Sequence, residues 1–248
     1  MPHPSRRREG LRAGPLPKLF AGGAALALLT VTTDAVAQDV PSPYEFFDHR
    51  YEVSLGLQHW QASEGEFDLG PSAGTGPAAR VGFHLTGPFA LEGLASLVPS
   101  SRSVVEPRSP DEDNGGPQAV GESSALLANA ELRVRFHVTG NRTWNGLTPY
   151  VMAGAGIVND FRGEQEDDLE LEGRDRFSFG PSVTLSGGIG NQWFAGDRLV
   201  VQTDLGLTFW RMSNPAGFRD LEGEGFDSVD ENEWVVNPSL TVSLGLRR

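Results

Sequence analysis

The sequence has no cysteine and a single lysine, Lys18, among its 20 basic residues. Without thiols, disulfide bracing, thiolate catalysis and cysteine-ligated zinc are all excluded. Basic residues are also outnumbered, with 33 acidic side chains giving a formal net charge of −13. Nucleic acid is therefore not an expected partner, because phosphates need a basic footprint. Beyond the N-terminal segment no run approaches the about 20 apolar residues that a membrane-crossing helix requires.

What is present begins with an export leader. Arg6, Arg7, Arg8, Arg12 and Lys18 precede an apolar run from Leu19 to Val31, and Ala35-Val36-Ala37 follows before Gln38. Basic, apolar and small residues in that order predict a secretory signal peptide over 1–37, cleaved between Ala37 and Gln38. Glu9-Gly10 after Arg6-Arg7 does not continue a twin-arginine motif, so general secretion is expected. The leader removes mostly basic residues, and the mature chain is more acidic than the precursor.

After a lead-in segment at 38–50, alternation of apolar and polar residues with a period of two dominates over 51–248, and this is the signal of half-buried strands. It predicts eight strands, near 51–58, 78–85, 89–97, 128–138, 148–158, 182–190, 199–209 and 236–246. The fourth is the clearest: Ala128, Ala130, Leu132, Val134, Phe136 and Val138 oppose Asn129, Glu131, Arg133, Arg135 and His137. Connections after strands one, three, five and seven are long, and those after two, four and six are short. Transmembrane barrels show that asymmetry, with short turns at one end and longer loops at the other. The expected fold is all-β, an antiparallel up-and-down transmembrane β-barrel of eight strands.

Alternation alone does not say whether the apolar face meets a core or lipid. The polar face is rich in Gly, Ser and Thr and has few ionisable groups, which suits a narrow lumen filled by side chains. Aromatic residues gather near strand ends: Trp60, Phe177, Phe179, Phe209, Trp210 and Trp234 at the long-loop end, Phe89, Trp144, Trp193 and Phe194 at the short-turn end. Aromatic girdles at both water interfaces are expected from them. Leu147-Thr148-Pro149-Tyr150-Val151, followed by Ala153-Gly154-Ala155-Gly156, resembles the mid-barrel strand of the small outer-membrane barrels typified by the OmpA transmembrane domain. The alternating Leu240, Val242, Leu244 and Leu246 resembles that family's C-terminal assembly signal, although Leu246-Arg247-Arg248 replaces its terminal aromatic. The resemblance implies a bacterial outer-membrane location, with outer-membrane lipid and the assembly machinery as partners, no cofactor and a monomeric state.

Arg80, Arg133 and Arg135 share the expected lumen face with Glu52, Glu92, Glu131 and Asp204, and enclosed charges must pair or suffer heavy desolvation. An internal ionic network that plugs the lumen is therefore expected, with a structural or surface-interaction role. Two alternatives stay open, a narrow pore or small-ligand-binding barrel and a lipid-modifying enzyme. His84-Leu85-Thr86 and His137-Val138-Thr139 are the nearest strings to a lipid A deacylase pair, but both fall at the short-turn end. No nucleophile and base stand in evident reach of one another, so catalysis is not expected. A soluble lipocalin-like carrier would carry a Gly-x-Trp signature near the first strand, whereas Gly56 and Trp60 are spaced differently.

The third long loop carries Asp160, Glu164, Glu166, Asp167, Asp168, Glu170, Glu172 and Asp175, and the fourth Asp220, Glu222, Glu224, Asp227, Asp230, Glu231 and Glu233. Dense carboxylates suit hard divalent cations, and Asp167, Asp168, Glu170, Asp227 and Asp230 are the candidate ligands. Asp111-Glu112-Asp113-Asn114-Gly115 is a fragment of a calcium-loop pattern without its distal Glu. A solvated, repulsive loop surface is the simpler expectation for all of these.

Overall fold

The computed structural model describes residues 42–46, 49–107, 117–219 and 230–248. The leader, its cleavage point, the Asp111–Gly115 fragment and Asp227 lie outside the described residues. Eight strands close into a ring: β2 (Tyr51–Trp60), β3 (Gly74–His84), β4 (Phe89–Glu106), β5 (Gln118–His137), β7 (Leu147–Asp160), β8 (Ser182–Ala195), β9 (Leu199–Ser213) and β10 (Asn232–Arg247). Each strand pairs antiparallel with its neighbours; β10 pairs with β2, and β7 pairs with both β5 and β8, so the ring has no open edge. Closure is what a membrane barrel needs, since lipid offers no partner for an unpaired backbone group.

Two short strands lie outside the ring. β1 (Tyr44–Phe46) comes from the expected lead-in segment and pairs with β6 (Arg142–Trp144), which sits in what the sequence reads as a plain turn. Arg142 stacks over the Phe46 ring at 4.5 Å from its centroid. Strands of this length carry too little alternation to register in the sequence.

β4 and β5 are longer than their hydropathy predicts, and they remain paired as far as Glu106 and Gln118. Their extensions, with Ser101, Arg102 and Ser103 facing Ser124, Ser123 and Glu122, lose the apolar alternation while keeping the ladder. A strand that rises beyond lipid meets water on its outer face, and nothing then selects apolar residues there.

Around the ring the alternation sorts as expected. Leu55 is 68% exposed, Leu132 58% and Leu205 56%, while Glu92, Arg135 and Thr184 are fully buried inside. The contiguous apolar exterior far exceeds what a water-soluble monomer leaves uncovered. The aromatic girdles require correction. Phe89, Trp144, Trp193 and Trp234 are exposed, but Trp60, Phe177, Phe179, Trp210 and Phe194 are buried. With Phe67, Leu69, Val98, Met212, Phe218 and Val235, the first four form an apolar core inside the long-loop end. The cause is strand parity: Trp60 follows Glu52, Ser54 and Gln58 on the inward face, and Trp210 follows Gln202, Asp204 and Thr208.

The first helix, α1 (Glu166–Glu170), is held over the rim by one carboxylate. Asp168 accepts hydrogen bonds from Arg102 Nη2 at 2.6 Å, Ser123 Oγ at 3.0 Å and the Gln165 backbone at 2.8 Å. The second helix, α2 (Ala216–Arg219), lowers Phe218 onto Phe67, with ring centroids 5.1 Å apart.

Candidate functional site: the barrel lumen

An eight-stranded ring leaves an interior just wide enough for side chains. Below the aromatic core, toward the short turns, that interior is ionic. Strand parity turns Glu52, Arg80, Glu92, Glu131, Arg133, Arg135 and Asp204 inward, and the register brings all seven together, each at most 5% exposed.

Arg80 Nη2 lies 2.6 Å from Asp204 Oδ2, and its Nη1 lies 3.8 Å from Glu92 Oε2. Arg133 donates through Nε to Glu131 Oε2 at 2.7 Å and approaches Asp204 and Glu92 at 3.6 and 3.9 Å. Arg135 pairs with Glu52 and stands 3.4 Å from Glu92 Oε2. Glu92 and Asp204 thus act as hubs, each facing two or more guanidiniums.

Charges removed from water are repaid only when their remaining hydrogen-bonding capacity is met. Neutral side chains help to meet it: Gln192 donates to Glu52 at 2.8 Å, Gln202 to Glu92 at 3.0 Å, Ser186 and Asn129 each to Glu131 at 2.9 Å, and Tyr150 to Asp204. Room for the long guanidinium arms comes from small neighbours. A Cβ on Gly82 would crowd Glu52 and Arg135, and one on Gly154 would come within 2.7 Å of Arg133 Cγ. These glycines are packing requirements on the polar face.

Three histidines stand at the short-turn end of the network. His84 Nε2 is 3.5 Å and His49 Nε2 3.9 Å from Glu52 Oε2. The His49 and His84 rings meet edge to face at 4.5 Å, and His137 stacks on His84 at 5.2 Å. Burial pushes the His49 imidazole, which lies outside the ring strands, below its ordinary pKa, while Glu52 pulls the other way.

The candidate loop carboxylates divide by burial. Asp168 is buried against Arg102 and not open to a cation, while Asp167, Glu170 and Asp230 are exposed. Among the described residues, the group of carboxylates and histidines close enough to hold one ion is His49, Glu52 and His84.

Sequence reasoning assembled the seven ionic residues by parity but missed Gln192 and Tyr150 as members and the histidine group as a unit. Parity alone could have added Tyr150, which alternates with outward-facing Val151 on β7, and Gln192, which shares the inward face of β8 with Ser182 and Thr184. His49 precedes the first ring strand, where no alternation assigns a direction.

Closed ring, apolar exterior and charged interior define a small transmembrane β-barrel. No protein-family model matches the chain, and no curated protein sequence does either. Among solved structures it is similar to Neisserial surface protein A, at 10% identity over 80% of this chain and 97% of that one, with a TM-score of 0.48. It is similar also to the outer membrane protein OprG from Pseudomonas aeruginosa, at 11% identity over 84% and 99% with a TM-score of 0.49. A third is Ail, the attachment invasion locus protein of Yersinia pestis, at 11% identity over 82% and 100% with a TM-score of 0.43. Likeness of that grade carries nothing about activity, and the class rests on this chain's own geometry.

Proposed function

We propose that the chain is a bacterial outer-membrane β-barrel with a structural or surface-interaction role, exported with removal of residues 1–37, and closed to bulk flow by its own side chains. The observation that carries this reading is the buried set of three arginines and four carboxylates spanning the lumen. A conducting pore would need these groups to face water, whereas each is at most 5% exposed. The aromatic core stacked above them adds a second barrier made of apolar side chains.

A non-enzymatic role is supported by the orientation of His84 and His137. A lipid-modifying hydrolase works on the lipid-facing surface, but these rings point inward and stack on one another.

Reconstitution into planar bilayers tests the closed lumen. The expected record has no large, stable single-channel currents, and a sustained open conductance from folded protein would overturn the proposal. In the same preparation, folded barrel should migrate differently before and after boiling, and its chain should begin at Gln38.

A further inference from the structure

We propose that His49, Glu52 and His84 form a binding site for a first-row divalent transition cation, of which zinc is the representative, at the short-turn mouth of the barrel. One ligand atom from each residue lies within 4.8 Å of the other two. Imidazole nitrogens with a single carboxylate are a donor set that zinc and its neighbours favour and that calcium and magnesium do not. Bond lengths of about 2.0–2.2 Å require only a modest closing of these side chains around an ion.

The site is built into the backbone. The His84 amide donates to the Arg50 carbonyl at 2.9 Å, which ties the residue after His49 to the end of β3. The Arg50 and Tyr51 amides both donate to the Arg248 carbonyl, at 2.9 and 3.0 Å, so the same segment is fastened to the end of β10. Glu52 is oriented from behind, with Arg135 on Oε1 and Gln192 donating to Oε2. Such outer partners fix a ligand's direction at metal sites. His137, stacked on His84, limits the rotation of that ring.

Charge points the same way. The seven ionic residues of the lumen comprise three guanidiniums and four carboxylates, so among themselves they leave one carboxylate in excess. An uncompensated buried charge is costly, and a cation beside Glu52 offsets it. Two further cations stand near this end: Arg247, which donates to the Gly196 carbonyl at 2.7 Å and stacks over Phe194, and Arg50, which lines the mouth. A cavity of about 550 Å³, lined by His49, Arg50, His84, Thr86 and Asn141, opens the site to solvent and leaves room for a water ligand.

The test uses untagged protein folded in detergent, stripped with a chelator and titrated with Zn²⁺ in excess Mg²⁺, which occupies weak carboxylate sites. One equivalent should bind and raise the unfolding temperature, and Co²⁺ should give the visible absorption of a four- or five-coordinate site. His49→Gln and His84→Gln should each weaken binding by more than the roughly 10- to 100-fold that loss of an outer partner costs. His59→Gln should leave it unchanged, because His59 bonds Thr75 Oγ1 at 2.8 Å at the opposite end of β2. Folding of every variant is checked by the migration difference between unheated and boiled samples. Should a variant not fold, protection of His49 and His84 in wild-type protein from acylation by diethyl pyrocarbonate in the presence of Zn²⁺ gives a second readout. Folded wild-type protein that binds no Zn²⁺, binding that survives in both histidine variants, or absence of protection would each overturn the proposal.

Discussion

The lumen has two storeys that fill the same barrel by opposite means. Toward the long loops, Trp60, Trp210, Phe177, Phe179 and Phe218 pack as an apolar core. Toward the short turns, Arg80, Arg133 and Arg135 interlock with four carboxylates. The apolar storey is non-directional and is stabilised in proportion to the area it buries. Its ionic counterpart depends on each partner being present, because removing one leaves the other buried and unpaired. One storey therefore tolerates rearrangement, and the other specifies a geometry.

The largest expected effects fall on the storeys themselves. Arg135→Met should destabilise the folded barrel by about 3–5 kcal/mol, the usual loss when one member of a buried ion pair is removed. Trp210→Ala should cost about 3–5 kcal/mol as well, through the cavity it leaves. A second substitution separates the two mechanisms. Glu52→Gln added to Arg135→Met should recover part of the loss, whereas Trp60→Ala added to Trp210→Ala should deepen it, since the two rings pack at 5.2 Å. Denaturant titration of each variant folded into lipid vesicles measures this; recovery in the aromatic storey or none in the ionic one would erase the distinction.

A smaller effect contrasts the inside with the outside. Leu205 sits mid-strand on the exterior, paired with Ile189 and Leu240, and Leu205→Arg should cost ~2–4 kcal/mol at the bilayer midplane. The smallest effect belongs to Leu199, at the start of β9 opposite Leu246, where Leu199→Arg should cost about 0–1 kcal/mol because the side chain reaches the interface. The same titrations rank the two sites. Equal, severe losses at both, with wild-type protein stable in water without lipid, would contradict a lipid-facing exterior.

Legibility in the sequence followed the environment of each strand. Within the membrane band the inner and outer faces differ sharply, so Leu132 against Arg133, or Leu205 against Asp204, declares both strand and direction. Above the band that contrast fades, and the upper halves of β4 and β5 were not readable although they continue the same ladder. The aromatic residues illustrate the hazard of composition without parity. Trp60 and Trp210 suggest a girdle by type and by position near strand ends, yet both occupy inward positions.

The sequence by itself determined the eight-stranded alternation, the asymmetry of loop lengths and the inward direction of the seven ionic residues, because a period of two is a local property of the chain. Only the tertiary structure decided which charges meet, for example Glu52 with Arg135 or Arg80 with Asp204, since pairing across the lumen depends on register and closure around the whole ring. It also decided that Asp168 faces Arg102, and that His49, from a segment outside the ring, arrives beside Glu52 and His84. Apart from His49 with Glu52, three positions apart in the chain, those contacts join residues distant in sequence through space enclosed by the sheet, and no local pattern encodes them.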